Sequence, residues 1–222
     1  MKKNVLLGST LVILTSCLIY LVWLEKSTAT RPQEPKLPYP YRSQEVRFQN
    51  NQASINLSGT LTLPAKADNV PAVILITGSG PQDRNEAVFG HRPFLVIADY
   101  LTRHGFAVLR YDDRGIGQST GNFMTATSLD FAADAESAVA YLKTRKEINQ
   151  HNIGLVGHSK GGLIAAIAAS HTKEVSFVIS LAGPGVICID VMHLQTQLIA
   201  RAGGVDESAI VTMNKTNHET AD

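Results

Sequence analysis

Gly157-His158-Ser159-Lys160-Gly161 sets a serine between two glycines in the pattern GxSxG, between the apolar run NIGLVGH and the small, apolar run KGGLIAAIAAS. The string alone is weakly diagnostic, but a junction of strand and helix is the context that gives it chemical meaning. There the serine occupies a strained turn that presents its hydroxyl at the top of a sheet, and the glycines let neighbouring backbone approach closely. Ser159 is therefore the candidate nucleophile, against the plainer use of a serine that only caps the following helix. A serine that attacks a carbonyl also needs donors for the developing oxyanion. The backbone N–H of Lys160, at the positive end of the helix dipole, is one. The second is expected from the turn Thr77-Gly78-Ser79-Gly80-Pro81, with Ser79 best placed by position. No GxxxxGK[ST] or complete GxGxxG follows a strand here, so that turn is not read as a phosphate cradle.

Other polar residues have simpler readings. Asp112-Asp113-Arg114-Gly115 follows an apolar run and is read as a set of hydrogen bonds and ion pairs fixing a loop beside the site, in preference to a catalytic group. His158 is expected to pack or line the pocket. His91 and Arg92 are expected to hold the loop with Gln82-Asp83-Arg84 against the next helix, and His104 to sit at a helix end. Asp206 and His218 follow Ser159 in the order acid, then histidine, but both lie in a stretch that reads as helical. Geometry, not order, defines a triad, so neither these two nor His193 is assigned to one. No substrate-binding residue is assigned. Cys17 and Cys188 suggest neither a disulfide nor a metal site.

The elements that must position these groups follow from periodicity. Ser43 to Asn50 and Ser54 to Leu63 alternate apolar and polar residues, as a half-buried antiparallel hairpin does, with Asn50-Asn51 in the turn. Beyond Pro71 the rhythm changes to short continuous apolar runs, 72–76, 107–111, 153–156 and 177–181, the pattern of parallel strands covered on both faces. Between them lie helical segments. Pro93 to His104 ends at Gly105, Ser128 to Thr144 opens on Ser128 as a cap with Asp130 in its first turn, and Lys160 to His171 packs on the sheet. This alternation predicts a mostly parallel, doubly wound α/β fold with an N-terminal antiparallel hairpin and a site at the carboxyl ends of its strands.

Composition excludes some classes. With 20 basic against 19 acidic residues, a net charge of +1 and no basic stripe, nucleic acid is not an expected partner. Asn4 to Leu24 carries no charge, and roughly 20 residues of helix cross a bilayer, so residues 1–24 read as a membrane anchor. Cleavage after Ser27-Thr28-Ala29 is the alternative, giving a secreted protein. Leu14-Thr15-Ser16-Cys17 has the look of a lipoprotein box, but the strongly apolar Leu18 to Leu24 follows where a polar tether is needed. Lys2 and Lys3 favour a cytoplasmic N-terminus, which puts the remainder outside the cytoplasm, in the periplasm or at the cell surface. Residues 25–42 are rich in proline and read as a linker to a domain over 43–222, whose stretch 186–222 opens a helical insertion or lid.

The runs ITGSGPQDRNE, GHRPFLVIADYLTRHGFAVLRYDDRGIGQSTGNF, GHSKGG and SLAGPG resemble the bacterial α/β-hydrolases that include EstD-type carboxylesterases and relatives of serine aminopeptidases and dienelactone hydrolases. The resemblance covers about Ser54 to Gln197. It implies a triad in the order serine, acid, histidine, an acyl-enzyme on Ser159, and no metal or organic cofactor. It also implies that the acid and histidine follow the last two strands of the fold, which are expected to lie past residue 222. Lys160 departs from the family, whose members often carry an acidic residue there, which points to altered specificity or surface charge more than to lost chemistry, since the backbone amide does the work. The expectation is thus a membrane-tethered serine hydrolase of small carboxylic esters. An amide or thioester hydrolase of the same fold and a catalytically silent chain are the alternatives.

Overall fold

In the computed structural model, residues 31–211 are described. The anchor or signal segment, Cys17 and His218 lie outside that range. Six strands form one mixed sheet in the order β1-β2-β4-β3-β5-β6: β1 (Arg42–Asn50), β2 (Ile55–Leu63), β3 (Val70–Ile76), β4 (Ala107–Tyr111), β5 (Ile148–His158) and β6 (Phe177–Leu181). β1 and β2 make the predicted hairpin, in register from Arg42 opposite Leu63 to Asn50 opposite Ile55. β2 also runs antiparallel to β4, whereas β3 is parallel to both β4 and β5, and β6 is parallel to β5.

Among the described residues, four long helices accompany this sheet: α1 (Pro93–Arg103), α2 (Ser128–Lys143), α3 (Lys160–His171) and α4 (Cys188–Ala202). Their placement explains why the central strands read as unbroken apolar runs. Val73 and Leu75 of β3, Val108 of β4 and Val156 of β5 pack on one face with Phe94 and Ala98 of α1. Their neighbours Ile74, Leu109 and Leu155 point the other way, onto Ala135 and Leu142 of α2 and Ile164 and Ala168 of α3. With both faces covered, alternation has nothing polar to alternate with. The alanine-rich surfaces of α2 and α3 let these helices approach closely.

One local reading needs correction. The cap of α2 is Thr127, not Ser128: its hydroxyl accepts from the Asp130 N–H at 3.4 Å, while Asp130 Oδ2 accepts from the Thr127 N–H at 2.8 Å. This reciprocal pair satisfies two donors where Ser128 would satisfy one. The part of the linker within the described residues lies against the domain. Arg92 Nε donates to Glu34 Oε1 at 2.5 Å, Arg31 donates to the Phe89 carbonyl at 3.2 Å, and Tyr41 is buried under Arg103. The stretch is a series of turns and bends, and its side chains do the packing.

Burial is uneven across the sheet. Among the described strands β6 is an edge, its Val178 and Ile179 are 38% and 46% exposed, and no residue of α4 is buried. Leu109, in contrast, is fully buried between two layers. Leu109→Ala should therefore cost about 2–5 kcal/mol in urea unfolding, while Val178→Ala should cost markedly less.

Candidate active site

The strands β3, β4, β5 and β6 end at the same edge of the sheet, and their following residues make the site. Ser159 stands between β5 and α3 with φ 52° and ψ −120°, a left-handed conformation that a non-glycine residue rarely holds. Neighbouring backbone enforces it. A Cβ on Gly157 would lie 2.0 Å from the Gly161 carbonyl oxygen, and one on Gly161 would lie 2.3 Å from that of Ile76. The Ser159 N–H donates to the Leu181 carbonyl at 2.9 Å, and the Ser159 carbonyl accepts from Gly162 at 2.9 Å, so the elbow is pinned on both sides.

Beside the elbow runs the turn after β3. The Gly78 N–H donates to Glu86 Oε1 at 2.7 Å, and the same oxygen lies 2.8 Å from Nδ1 of His158. That commitment leaves the next amide, Ser79, as the open donor of the turn: among the described residues, nothing accepts from the N–H of Ser79 or of Lys160. Ser79, Ser159 and Lys160 share a cleft of about 530 Å³, also lined by Ser128, Met192 and Gln195. Lys160 is the one charged residue among those lining it. Its ammonium sits 5.0 Å above the Phe131 ring. Among the described residues, none makes a hydrogen bond to the Ser159 hydroxyl.

The end of β4 anchors the loop that carries Glu86. Asp112 receives Arg84 through Nε at 3.0 Å and Nη2 at 2.7 Å, and also the Arg84 N–H at 2.9 Å. Burial pushes the Asp112 carboxyl up, but the bonds from Arg84 outweigh it and hold the carboxyl below its ordinary value. Asp113 accepts from Thr77 Oγ1 at 2.7 Å and from the Gln82 N–H at 3.0 Å, tying both ends of the turn to β4. Arg110 donates to Asn85 Oδ1. Arg114 turns away from the cleft, onto Asp134 at 2.7 Å, which also accepts from Asn50 at 2.7 Å.

This geometry is joined by a family match and three relatives. The family model of serine aminopeptidases of the S33 type, a group of α/β-hydrolases, matches residues 92–214, more than half of the chain. The chain belongs to the S33 hydrolase family. Esterase EstD of Thermotoga maritima is 30% identical over 157 residues, which are 70% of this chain and 37% of that protein. The α/β-hydrolase GrgF from Penicillium sp. has a solved structure that is 27% identical, with a TM-score of 0.55 over 72% of this chain and 54% of GrgF. The Pyrococcus furiosus esterase Pf2001 shares the fold at 21% identity, with a TM-score of 0.59 over 73% of this chain and 57% of that one. This S33 hydrolase chain therefore spans from about a third to somewhat over half the length of these relatives.

Within the S33 chain the structure brings Ser159, Lys160 and Ser79 together and leaves the other candidates apart. Asp206 caps its own turn, its Oδ1 accepting from the Ser208 N–H at 3.2 Å, and His193 does not line the cleft, although its α4 neighbours Val191 and Met192 do. Asp112 and Asp113 fix the loop beside the site, as read from the sequence, whereas Arg114 pairs with Asp134 of α2 away from it. His158 is half-exposed and bonded to Glu86, and does not line the cleft. His91 and Arg92 do not hold the Gln82–Arg84 loop: Asp112 and Asp113 do, while Arg92 pairs with Glu34 and the His91 backbone bridges to Val88. His104 accepts its expected place at a helix end, with Nδ1 2.7 Å from the Tyr100 carbonyl. The residue missed altogether is Glu86. It lies in a polar loop with no periodicity, and its sequence neighbours carry no sign of its partners.

Burial lifts the Asp113 carboxyl from 3.8 to about 6. A carboxyl whose folded value is raised favours the folded state below the unfolded value, and that contribution is lost as pH rises through the folded one. Unfolding free energy should therefore fall between about pH 4 and 6, by up to about 3 kcal/mol from this group. The fall should shrink in Asp113→Asn, which cannot titrate, as followed by urea unfolding across that range.

Proposed function

We propose that this chain carries the nucleophile of a serine hydrolase that cleaves small carboxylic esters through an acyl-enzyme on Ser159. The observation that carries this reading is the enforced elbow: a strained serine facing a cleft beside two amides that find no acceptor among the described residues. Ser159 Oγ adds to the ester carbonyl while a base takes its proton. The N–H groups of Ser79 and Lys160 receive the oxyanion, and the base returns the proton to the departing alcohol as the C–O bond breaks. Water then repeats the sequence on the acyl-enzyme. The base and its orienting acid are assigned outside the described residues. EstD and Pf2001, both called esterases, support the choice of bond.

The family name also raises an amide reading, in which an aminopeptidase binds a free α-ammonium group. The cleft argues for esters bearing neutral or anionic groups instead, because among the described residues lining it the single charge is the cation of Lys160. The apolar stretch Asn4 to Leu24 lies outside the described residues, and no helix among those described is long and apolar enough to cross a membrane. We place the domain outside the cytoplasm, tethered by that stretch, on its length and the lysines before it.

Hydrolysis of p-nitrophenyl acetate, and labelling by a fluorophosphonate, should both vanish in Ser159→Ala; hydrolysis that survives the substitution overturns the proposal. Lys160→Glu should leave the neutral ester within a few-fold and move the ratio of a succinyl monoester to a cationic aminoacyl ester by about tenfold toward the cation, the size expected of one charge in a partly solvated cleft. An unmoved ratio removes Lys160 from specificity.

A further inference from the structure

Glu86 has no role in the chemistry just described, yet it touches both halves of the site. It is 5% exposed, with φ 52°. One of its carboxylate oxygens, Oε1, accepts from the Gly78 N–H at 2.7 Å and lies 2.8 Å from His158 Nδ1. Gly78 opens the turn that presents the Ser79 amide, and His158 is the residue immediately before the nucleophile. The two segments meet there so closely that a Cβ on Gly78 would stand 3.3 Å from Ser159 Cβ. We infer that Glu86 is a positioning residue, which ties the Ser79 amide to the elbow so that the two oxyanion donors keep a fixed angle to Ser159.

The physical need is clear from the composition of the turn. Gly78 and Gly80, the latter at φ 91°, give the Ser79 peptide units wide conformational freedom. Oxyanion stabilisation depends on dipoles already oriented before charge develops, so a peptide free to rotate loses most of its effect. A charge-assisted bond to Gly78 fixes the peptide plane one step before Ser79 and removes the Gly78 amide as a competing donor. Glu86 is itself held by the residues before it, through Arg84 on Asp112 and Asn85 on Arg110, and its own N–H donates to the Asp83 carbonyl at 2.9 Å. Neither Glu86 nor His158 lines the cleft, so the effect passes through Gly78 and Ser79 and not through contact with substrate.

The inference rests on the serine hydrolase reading, and the test separates the two. In the full chain, Glu86→Ala should lower kcat for p-nitrophenyl acetate about a hundredfold with KM within about twofold, the scale of losing one oriented oxyanion donor. Glu86→Gln, which keeps an acceptor oxygen for Gly78 and the same shape, should recover kcat to within about tenfold of the parent. Hydrogen exchange followed by NMR gives a readout independent of turnover. The Gly78 amide should exchange slowly in the parent chain and at least about tenfold faster in Glu86→Ala, since a lost hydrogen bond frees it. Rapid exchange of Gly78 in the parent overturns the inference even if Glu86→Ala fails to fold. So does unchanged kcat in folded Glu86→Ala, or an equal loss in Glu86→Gln. If hydrolysis by the parent does not depend on Ser159, the hydrolase reading falls, and the positioning role falls with it whatever the exchange data show.

Discussion

The site depends on a crossing of backbones that leaves no room for side chains. β5 delivers the chain into α3 so tightly that the backbone at Gly157 runs against the carbonyl of Gly161, and Gly161 against that of Ile76. Strand, turn, helix and the neighbouring strand thus share one contact. Because the sheet holds β5 and β3 in parallel register up to Ile76 and Gly157, the crossing is fixed by the whole hydrogen-bonded ladder. The strain at Ser159, of order 1–3 kcal/mol, persists because the ladder and the packing of α3 over-determine it.

A second layer of constraint comes from charge. The end of β4 spends its polar residues on the loop opposite the elbow: Arg110 takes Asn85, Asp112 takes Arg84, and Asp113 takes Thr77 and Gln82. These groups are buried, so each bond is strong and each unpaired partner would be costly. The loop has almost no apolar anchor of its own and relies on this network for its shape. Arg114, the next residue in sequence, serves a separate structure, pairing with Asp134 of α2, which also accepts from Asn50 of the hairpin.

Much of this could be read in the sequence wherever a repeating physical demand left a repeating pattern. Apolar runs of the right length marked β3, β4 and β5, because burial on both faces permits nothing else; the run 177–181 marked β6 as well, although that strand is exposed, and α3 was legible over its full span from Lys160 to His171. The elbow was legible because its glycines answer a steric demand that no other residue meets. Ser79 was placed by position, and the structure puts it in the cleft. The cap of α2 was misplaced by one residue although the spacing of Thr127 and Asp130 carried the signal, since Ser128 is an equally good capping type. Glu86 was not legible at all. Its partners lie 8 and 72 residues away in the chain, brought together by tertiary folding alone.

The course of residues 31–41 changes the mechanics of any attachment at the N-terminus. A proline-rich spacer standing free would hold a domain well away from its anchor, whereas here Glu34 and Tyr41 bind that stretch to α1 and the loop before it. Only six residues separate Leu24 from Arg31 in the sequence, and six residues span at most about 20 Å. Under the proposed tether, the domain is held within about 20 Å of the headgroups. Substrates reaching the cleft would then be drawn from the thin layer of solution next to the lipid, where the local concentration of amphiphilic esters is set by the membrane and not by the bulk.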